Sequence, residues 1–505
     1  MQNEAALAGS SKRSRLAATV VVPVSMALVG CALNQTAERD VASALARYER
    51  DRPPAAENYA RGARPVVRSG ATRPGPPSSA ATPASEPVEP RTLREYILLA
   101  LEQNPDIRAA EEMARMRAAR VPQVTAPPDP KLVTRTLPRP TQLADGGNPF
   151  ILGVSFDLPW PGKLDRAGRV ALQEARMALQ ELQRTRLNVI ADVKRAYFRI
   201  YILDRTIQVD LTNQDLLRGL IDAARAQVAS GRRRQDDVLR AQVELSNLES
   251  QLVELRQERI SVAALLNGVL NRPPATPIPT LDEFDVRSVD VTIEALLAAA
   301  AERNPDLRRF QEQIERDRQG VELARLGYWP DVMLGFEWMY MRPRAAFEPL
   351  PDPATGLRPD VDRLSEEGGD TYALVAGVSL PIWVAKIEGG IREARRRLLA
   401  SQHEYAAAKN RVNAEIADAL ARVGAQRELA GLFKNTIIPQ AQQAYEVSRA
   451  AYAAGASDFL FVIDNWQKWL AFSIQYHRAL GELERSVADL EAAIGLSLAE
   501  AGGGS

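Results

Sequence analysis

Cys31, His403 and His477 are the only thiol and imidazoles in the chain, so they are all it offers for imidazole ligation or thiolate chemistry. One cysteine forbids an internal disulfide, and three scattered ligands leave almost nothing for a zinc or copper centre. Both histidines fall inside helical runs, where a satisfied surface or seam histidine is the plain reading. A secreted hydrolase needs a nucleophile elbow or a carboxylate constellation, and the sequence contains neither. No catalytic residue, cofactor site or metal site is predicted, and therefore no enzyme. Sixty-four basic residues balance sixty-four acidic ones, with no basic stripe interleaved with aromatics, so nucleic acid is not an expected partner.

The one thiol has a specific setting. Lys12, Arg13 and Arg15 precede an apolar run from Leu16 to Gly30, too short to span about 30 Å of hydrocarbon in comfort, which reads as a signal peptide over 1–30. Leu28-Val29-Gly30-Cys31 closes it and resembles the lipobox of bacterial lipoproteins, whose cysteine receives a diacylglyceryl group. Cys31 is thus the candidate lipidation site, the alternative being a small buried thiol after an anchor helix. Ala32 rather than Asp at the next position favours the outer membrane, by resemblance to the sorting rule of enteric bacteria. Residues 31–91 read as a lipid-anchored segment and a tether rich in Pro, Ala, Ser and Arg, a composition unable to bury enough apolar surface to fold. Residues 498–505 read as a flexible tail.

The elements that position everything else come in duplicate. Asn104-Pro105-Asp106-Ile107-Arg108 returns as Asn304-Pro305-Asp306-Leu307-Arg308, and Leu158-Pro159 returns as Leu380-Pro381. Gly231 followed by Val238-Leu239 returns as Gly455 followed by Val462-Ile463. The chain therefore divides into repeats at 92–285 and 286–497. Proline biases the residue before it away from the α region, so one helix ends and the next begins at Pro105 and at Pro305. Val332, Leu334, Phe336, Trp338 and Tyr340 alternate with Met333, Gly335, Glu337 and Met339, a period of two that predicts a strand. An aromatic face opposite a mixed face over about ten residues fits a membrane strand, with Leu334, Phe336, Trp338 and Tyr340 towards lipid; a half-buried soluble hairpin is the alternative. Tyr372 to Leu380 would pair with it, and Lys131 to Leu137 with Phe150 to Leu158 form the equivalent hairpin. Four strands cannot close a barrel, and an open edge in lipid costs several kcal/mol per unpaired group, so the membrane reading requires oligomerisation, with three chains giving twelve strands.

Between these landmarks the spacing alternates three and four. Ala175, Leu179, Leu182, the exception Arg186, Val189, Val193, Ala196, Ile200, Leu203 and Ile207 form a coiled-coil seam. A helix from about 164 to 230 would extend on the order of 100 Å. Ile391, Ala394, Leu398, Tyr405, Ala408 and Val412 begin the same pattern in the second half, which meets Pro439 and is expected to bend there. Residues 235–270 and 458–495 return as helices of about half that length.

In this order the landmarks resemble the TolC-type outer-membrane efflux proteins, the outer membrane factor family, over about 92–497. Pro439-Gln440-Ala441, Tyr452-Ala453-Ala454-Gly455 and the lipobox add to the match. The resemblance implies a mainly α fold with a membrane β-barrel portion: duplicated long coiled-coil helices plus four strands per chain, completed by a homotrimer into a twelve-stranded barrel and an α-helical barrel. It implies a passive exit duct for drugs or heavy-metal cations, in contact with outer-membrane lipid and extending into the periplasm. It implies as partners a periplasmic adaptor and an inner-membrane efflux pump, in the manner of lipidated members that serve resistance-nodulation-division systems.

The family closes its periplasmic end at the helix-hairpin tips with two aspartates, six and nine residues after a glycine. That register gives Phe461, where the first aspartate is replaced, and Asp464 in the second half, and Asp237 and Arg240 beside Asp236 in the first. A trimer would ring three Asp464 carboxylates around one axis, attracting cations, with Phe461 as an apolar constriction; a solvated Asp464 and a packing Phe461 are the alternatives. Arg232, Arg233 and Arg234 are candidates for adaptor docking or gate ion pairs, or a solvated turn. The competing reading of the whole chain is a lipid-anchored periplasmic coiled-coil structural protein whose strands form a small soluble sheet.

Overall fold

A computed structural model of the chain describes residues 90, 92–138, 142–143, 146–230, 234–281, 291–342, 351, 353–356 and 369–498. The predicted signal peptide and tether, Cys31, Arg232, Arg233 and the tail beyond 498 lie outside them. The described chain falls into two compact units, a sheet unit (Arg115–Ala175 and Glu312–Gln402) and a helical unit drawn from Ala46–Ala114, Arg176–Gln311 and His403–Ser505.

The sheet unit is built from β1 (Lys131–Thr136), the two-residue β2 (Gln142–Leu143), β3 (Gly146–Leu158), β4 (Val332–Arg342) and β5 (Thr371–Val378). The order is β1-β3-β4-β5, antiparallel throughout, with β2 pairing only β3, so β1 and β5 are open edges. Two hairpins, one per repeat, are thus joined through β3 and β4. Because side chains alternate across a strand, the registers Leu132↔Val154, Phe156↔Leu334 and Leu334↔Ala376 gather the even-numbered positions from Phe150 onward in β3, and those paired with them, on one face. That face carries Leu132, Val154, Phe156, Leu334, Phe336, Trp338, Tyr340, Tyr372, Leu374 and Val378. The opposite face is mixed: it carries Lys131, Arg135, Asp157, Glu337 and the glycines Gly153, Gly335 and Gly377, with Lys131 and Asp157 paired at 2.5 Å, but also Val133, Ile151, Met333, Met339 and Val375. The four predicted strands are present, but β3 begins before Phe150 and β2 was not anticipated. Gly146-Gly147-Asn148-Pro149 has turn composition, and the pairing of β3 with β4 is irregular between Gly147 and Phe150, as a bulge permits. Among the helices of this unit contacts are close: a side chain at Gly168 would meet Thr125 Cγ2 at 2.3 Å, and Arg166 donates to Gln319 at 2.8 Å.

In the helical unit, α1 (Leu93–Gln103) and α2 (Pro105–Thr125) are separated by Asn104, as α5 (Ile293–Arg303) and α6 (Pro305–Arg325) are by Asn304. The two asparagines do the same work. Asn104 accepts from the amides of Asp106 and Ile107, capping α2, and donates to the Val269 carbonyl at 2.9 Å. Asn304 accepts from the Leu307 amide and donates to the Ala493 carbonyl at 2.7 Å. Each cap also satisfies the free carbonyl end of its repeat's returning helix, α4 (Gln235–Val269) or α9 (Phe459–Ile494).

The long helix α3 (Lys163–Ala229) has 67 residues and matches the predicted bounds. Leu182, Val189, Val193, Ile200 and Leu203 on its seam are buried, and the exception Arg186 pairs with Glu111 at 2.5 Å. It packs against α9 so closely that a side chain at Gly481 would meet Ile202 Cγ1 at 2.3 Å. Within the same pair of helices, Trp466 donates to Asn213 Oδ1 at 2.8 Å, and Tyr201 meets His477 Nδ1 at 3.4 Å. The buried Lys194 pairs with Glu491, which also accepts the Leu498 amide. In the second half, α7 (Val384–Leu432) passes into α8 (Ile438–Ala453) through a π-turn over Phe433–Ile437. Pro439 has no N–H for the carbonyl four residues back, and the turn widens there instead. None of the described helices is long and apolar enough to cross a membrane.

Candidate functional site

Two places in the fold bear on function: the tip where α8 turns into α9, and the faces and edges of the sheet. At the tip, α8 ends in a Schellman turn. Ala456 N–H reaches the Ala451 carbonyl at 2.8 Å, Gly455 N–H reaches that of Tyr452 at 3.0 Å, and Gly455 takes φ +78°, a conformation glycine adopts without strain. The turn brings Tyr452 against Phe459, ring centroids 5.2 Å apart, above a core of Leu217, Leu220, Val238, Val462 and Trp466.

The predicted tip residues separate into two groups. Asp464 is exposed and bound by Lys468 at 2.8 Å one helical turn on, while Phe461 is 62% exposed. Neither packs into the chain's own core. Asp237, by contrast, is only 8% exposed; it sits in the first turn of α4 and accepts from the Tyr452 hydroxyl at 3.3 Å. Asp236 is beside Arg234 at 3.5 Å. Both aspartates lie at a helix N-terminus, where the unpaired amides favour negative charge. The structure therefore brings Asp237 together with Tyr452 across two hairpins, and leaves Asp464 and Phe461 turned outward.

Deeper in the same bundle, Asp210 of α3 is fully buried and its two carboxylate oxygens have no hydrogen-bond partner among the described residues. Burial pushes its carboxyl up to about 6.

On the sheet, Leu132, Phe156, Phe336 and Tyr340 of the even face are exposed, while Val154, Leu334 and Trp338 are half-buried. On β5, Tyr372, Leu374 and Val378 are open and the intervening Ala373, Val375 and Gly377 are shielded. Phe336 stacks on Tyr372, and Phe150 meets Trp338 edge-on. At the foot of the strands Trp160 stacks on Trp329 at 4.7 Å. The carboxylate of Asp331, just before β4, there accepts from the Trp160 amide at 2.8 Å and from Lys163 Nζ at 2.7 Å, and Lys163 also donates to the Trp329 carbonyl. This clamp joins the first repeat's strand-to-helix turn to the second repeat's first strand.

A family model described as outer membrane efflux protein matches residues 97–272 and 296–496. The chain belongs to the outer membrane efflux protein family. This efflux protein is 22% identical to the cobalt-zinc-cadmium resistance protein CzcC of Cupriavidus metallidurans, over 81% of the chain and 91% of that protein. It is 24% identical to the toluene efflux pump outer membrane protein TtgF of Pseudomonas putida, over 90% of the chain and 92% of that protein. The outer membrane protein VceC of Vibrio cholerae shares the fold, with a TM-score of 0.66 at 20% identity over 80% of the chain and 96% of that structure. Membership places the efflux protein in the outer membrane as a channel reaching into the periplasm, and gives the scaffold reading no support.

The sequence places Asp464 and Phe461 by register, but it misses the partner of Asp237. Tyr452 stands three residues before Gly455, and that short aromatic approach to a glycine turn is the only local signal. The Asp331 clamp leaves no periodic trace, because a single Pro-Asp pair looks like any turn.

Proposed function

We propose that three copies of this chain close a barrel and a helical duct, forming the exit channel of a tripartite efflux system served by a periplasmic adaptor and an inner-membrane pump. The observation that carries the reading is the sheet, whose apolar face is exposed and whose β1 and β5 edges are both unpaired. Lipid covers such a face, with Leu334, Phe336, Trp338 and Tyr340 among its contacts, and a neighbouring strand must cover each edge. The opposite, mixed face, with its charges, glycines and methionines, then lines the lumen. Cys31 carries the acyl chains that add a second hold on the membrane.

The hairpin tips form the gate. The bond between Tyr452 and Asp237 holds the two hairpins of one chain together, and Asp464 and Phe461 are free to face the axis. Three-fold repetition concentrates the Asp464 charge and favours cations there. Arg232, Arg233 and Arg234 meet the adaptor or lock the gate. The cargo is of the kinds named for the relatives, a heavy-metal cation or an apolar small molecule, selected by the pump.

Purification from outer membrane in detergent, followed by planar-bilayer recording, tests this. The expected result is a heat-resistant trimer whose conductance multivalent cations block, with the block weakened in Asp464→Ala. A monomer without conductance would remove the duct, and unchanged block in a trimeric Asp464→Ala would remove Asp464 from the gate.

A further inference from the structure

The sheet carries an internal copy of the contact that closes the ring. Place Pro330-Asp331 on Pro128-Asp129 and Leu380-Pro381 on Leu158-Pro159, the turns that open and close each hairpin. The second hairpin's pairs Met333↔Gly377 and Leu334↔Ala376 then fall on Lys131↔Ser155 and Leu132↔Val154, which are the pairs observed in the first. The two hairpins are therefore equivalent in register as well as in sequence. Between them lies one junction, β3 with β4, the second strand of one repeat against the first strand of the other. A closed ring of copies needs the complementary junction, β5 against the next copy's β1, and equivalence dictates its register.

Resting on the trimeric reading above, we propose that β5 pairs antiparallel with β1 of a second copy in the register Val378↔Leu132, Ala376↔Thr134 and Leu374↔Thr136. This is the image of Phe156↔Leu334, Val154↔Phe336 and Leu152↔Trp338. The side chains agree. Val378 is 57% and Leu132 68% exposed in the single chain, and both belong to the apolar face, so pairing keeps that face continuous. A slip of one residue would turn Leu132 towards the lumen. The charges agree as well. Lys163 holds Asp331 across the internal junction, and the image of Asp331 is Asp129. Lys386 stands in the first turn of α7, one residue beyond the strict equivalent of Lys163, and the flexible stem of a lysine covers that offset. Asp129 and Lys386 are both exposed, and neither makes an ion pair among the described residues. Lys386 of one copy thus binds Asp129 of the next, and the exposed Trp383, likewise one residue beyond the strict equivalent of Trp160, covers Pro127, the image of Trp329.

Disulfide trapping tests the register. Directly opposed residues of antiparallel strands have Cα atoms about 4.5–5.5 Å apart, within disulfide reach. In the full chain carrying Cys31→Ser, Leu132→Cys with Val378→Cys is expected to convert most of the protein to reducible covalent dimer and trimer on oxidation. Val133→Cys with Val378→Cys, the slipped pair, is expected to stay monomeric on the same denaturing gel. A trimer by light scattering that fails to link through Leu132 and Val378, or links through Val133, overturns the register and leaves the trimer standing. A monomer by light scattering overturns both. For the ion pair, Lys386→Asp is expected to lower the temperature at which the trimer dissociates, and adding Asp129→Lys to restore it. A double variant no better than the single removes the pair.

Discussion

The helical unit and the sheet unit bury their apolar side chains in opposite senses. The largest fully buried side chains, including Trp466, Tyr96, Tyr201, Phe459, Leu203 and Leu266, all belong to the helical unit. Among the described residues the sheet unit's buried apolar cluster is the small one around Val121 and Ala171, and the unit exposes Leu132, Phe156, Phe336, Tyr340, Tyr372, Leu374, Val378, Leu380, Ile382 and Trp383. The helical unit exposes apolar side chains as well, among them Val253, Ile260 and Leu265, but around large buried cores, whereas the sheet gathers them on one face. Apolar surface so gathered is unstable against water, so the contrast points to two solvents. One unit is organised for water outside and hydrocarbon-like packing within, the other for lipid outside and a mixed inner face that holds its charges. One chain therefore obeys two burial rules, and each can be tested by mutation.

The largest effect is expected at Trp466, whose ring fills the helical core and whose Nε1 binds Asn213. Trp466→Ala is expected to cost about 3–5 kcal/mol in denaturant unfolding of the detergent-solubilised protein. Phe336→Ala on the sheet is expected to cost under half of that, and equal losses would abolish the contrast. Next, Leu374→Lys puts a charge on the lipid face and is expected to lose about 2–4 kcal/mol of stability in lipid vesicles. Glu337→Lys, on the other face, is expected to leave stability nearly unchanged and to shift the cation-to-anion preference of the pore. Reversed outcomes would exchange the two faces. The paired caps come third: Asn104→Ala and Asn304→Ala are each expected to cost about 1–2 kcal/mol in the same unfolding assay. A loss at only one of them would show that the repeats are no longer energetically alike.

The smallest effect is a pH dependence at Asp210. Its carboxyl is raised by burial to about 6 in the fold, so the folded chain holds the proton more tightly than the unfolded one. Stability from this group is greatest at acid pH and falls as pH rises from the ordinary carboxylate range through about 6. Asp210→Asn is therefore expected to raise the thermal midpoint above pH 7 and to have its effect shrink as pH falls towards 4. A pH-independent difference would mean that the carboxylate is solvated.

Periodicity carried most of the fold. The α3 seam, the Asn-Pro breaks and the alternation of β4 are local patterns, and each occupies nearly the residues that its spacing dictates. The site was legible only in part. Asp464 and Phe461 follow from their distance to Gly455, whereas the bond between Asp237 and Tyr452 joins positions 215 residues apart and is set by tertiary packing. The start of β3 was hidden because Gly146-Gly147 reads as a loop, yet a bulge tolerates glycine. Asp210 was hidden because its neighbours on the seam make an acidic residue look like a solvent-facing interruption.

The even-with-even pairing of the strands on the near side of the Gly147–Phe150 bulge has a consequence for how this sequence can change through descent. Gain or loss of a single codon within β1, β3, β4 or β5 would invert all side chains beyond it, exposing charge to lipid and grease to the channel. Two codons leave the pattern intact. Length variation among inherited relatives should therefore enter these strands in steps of six nucleotides, while the turns between them accept any multiple of three.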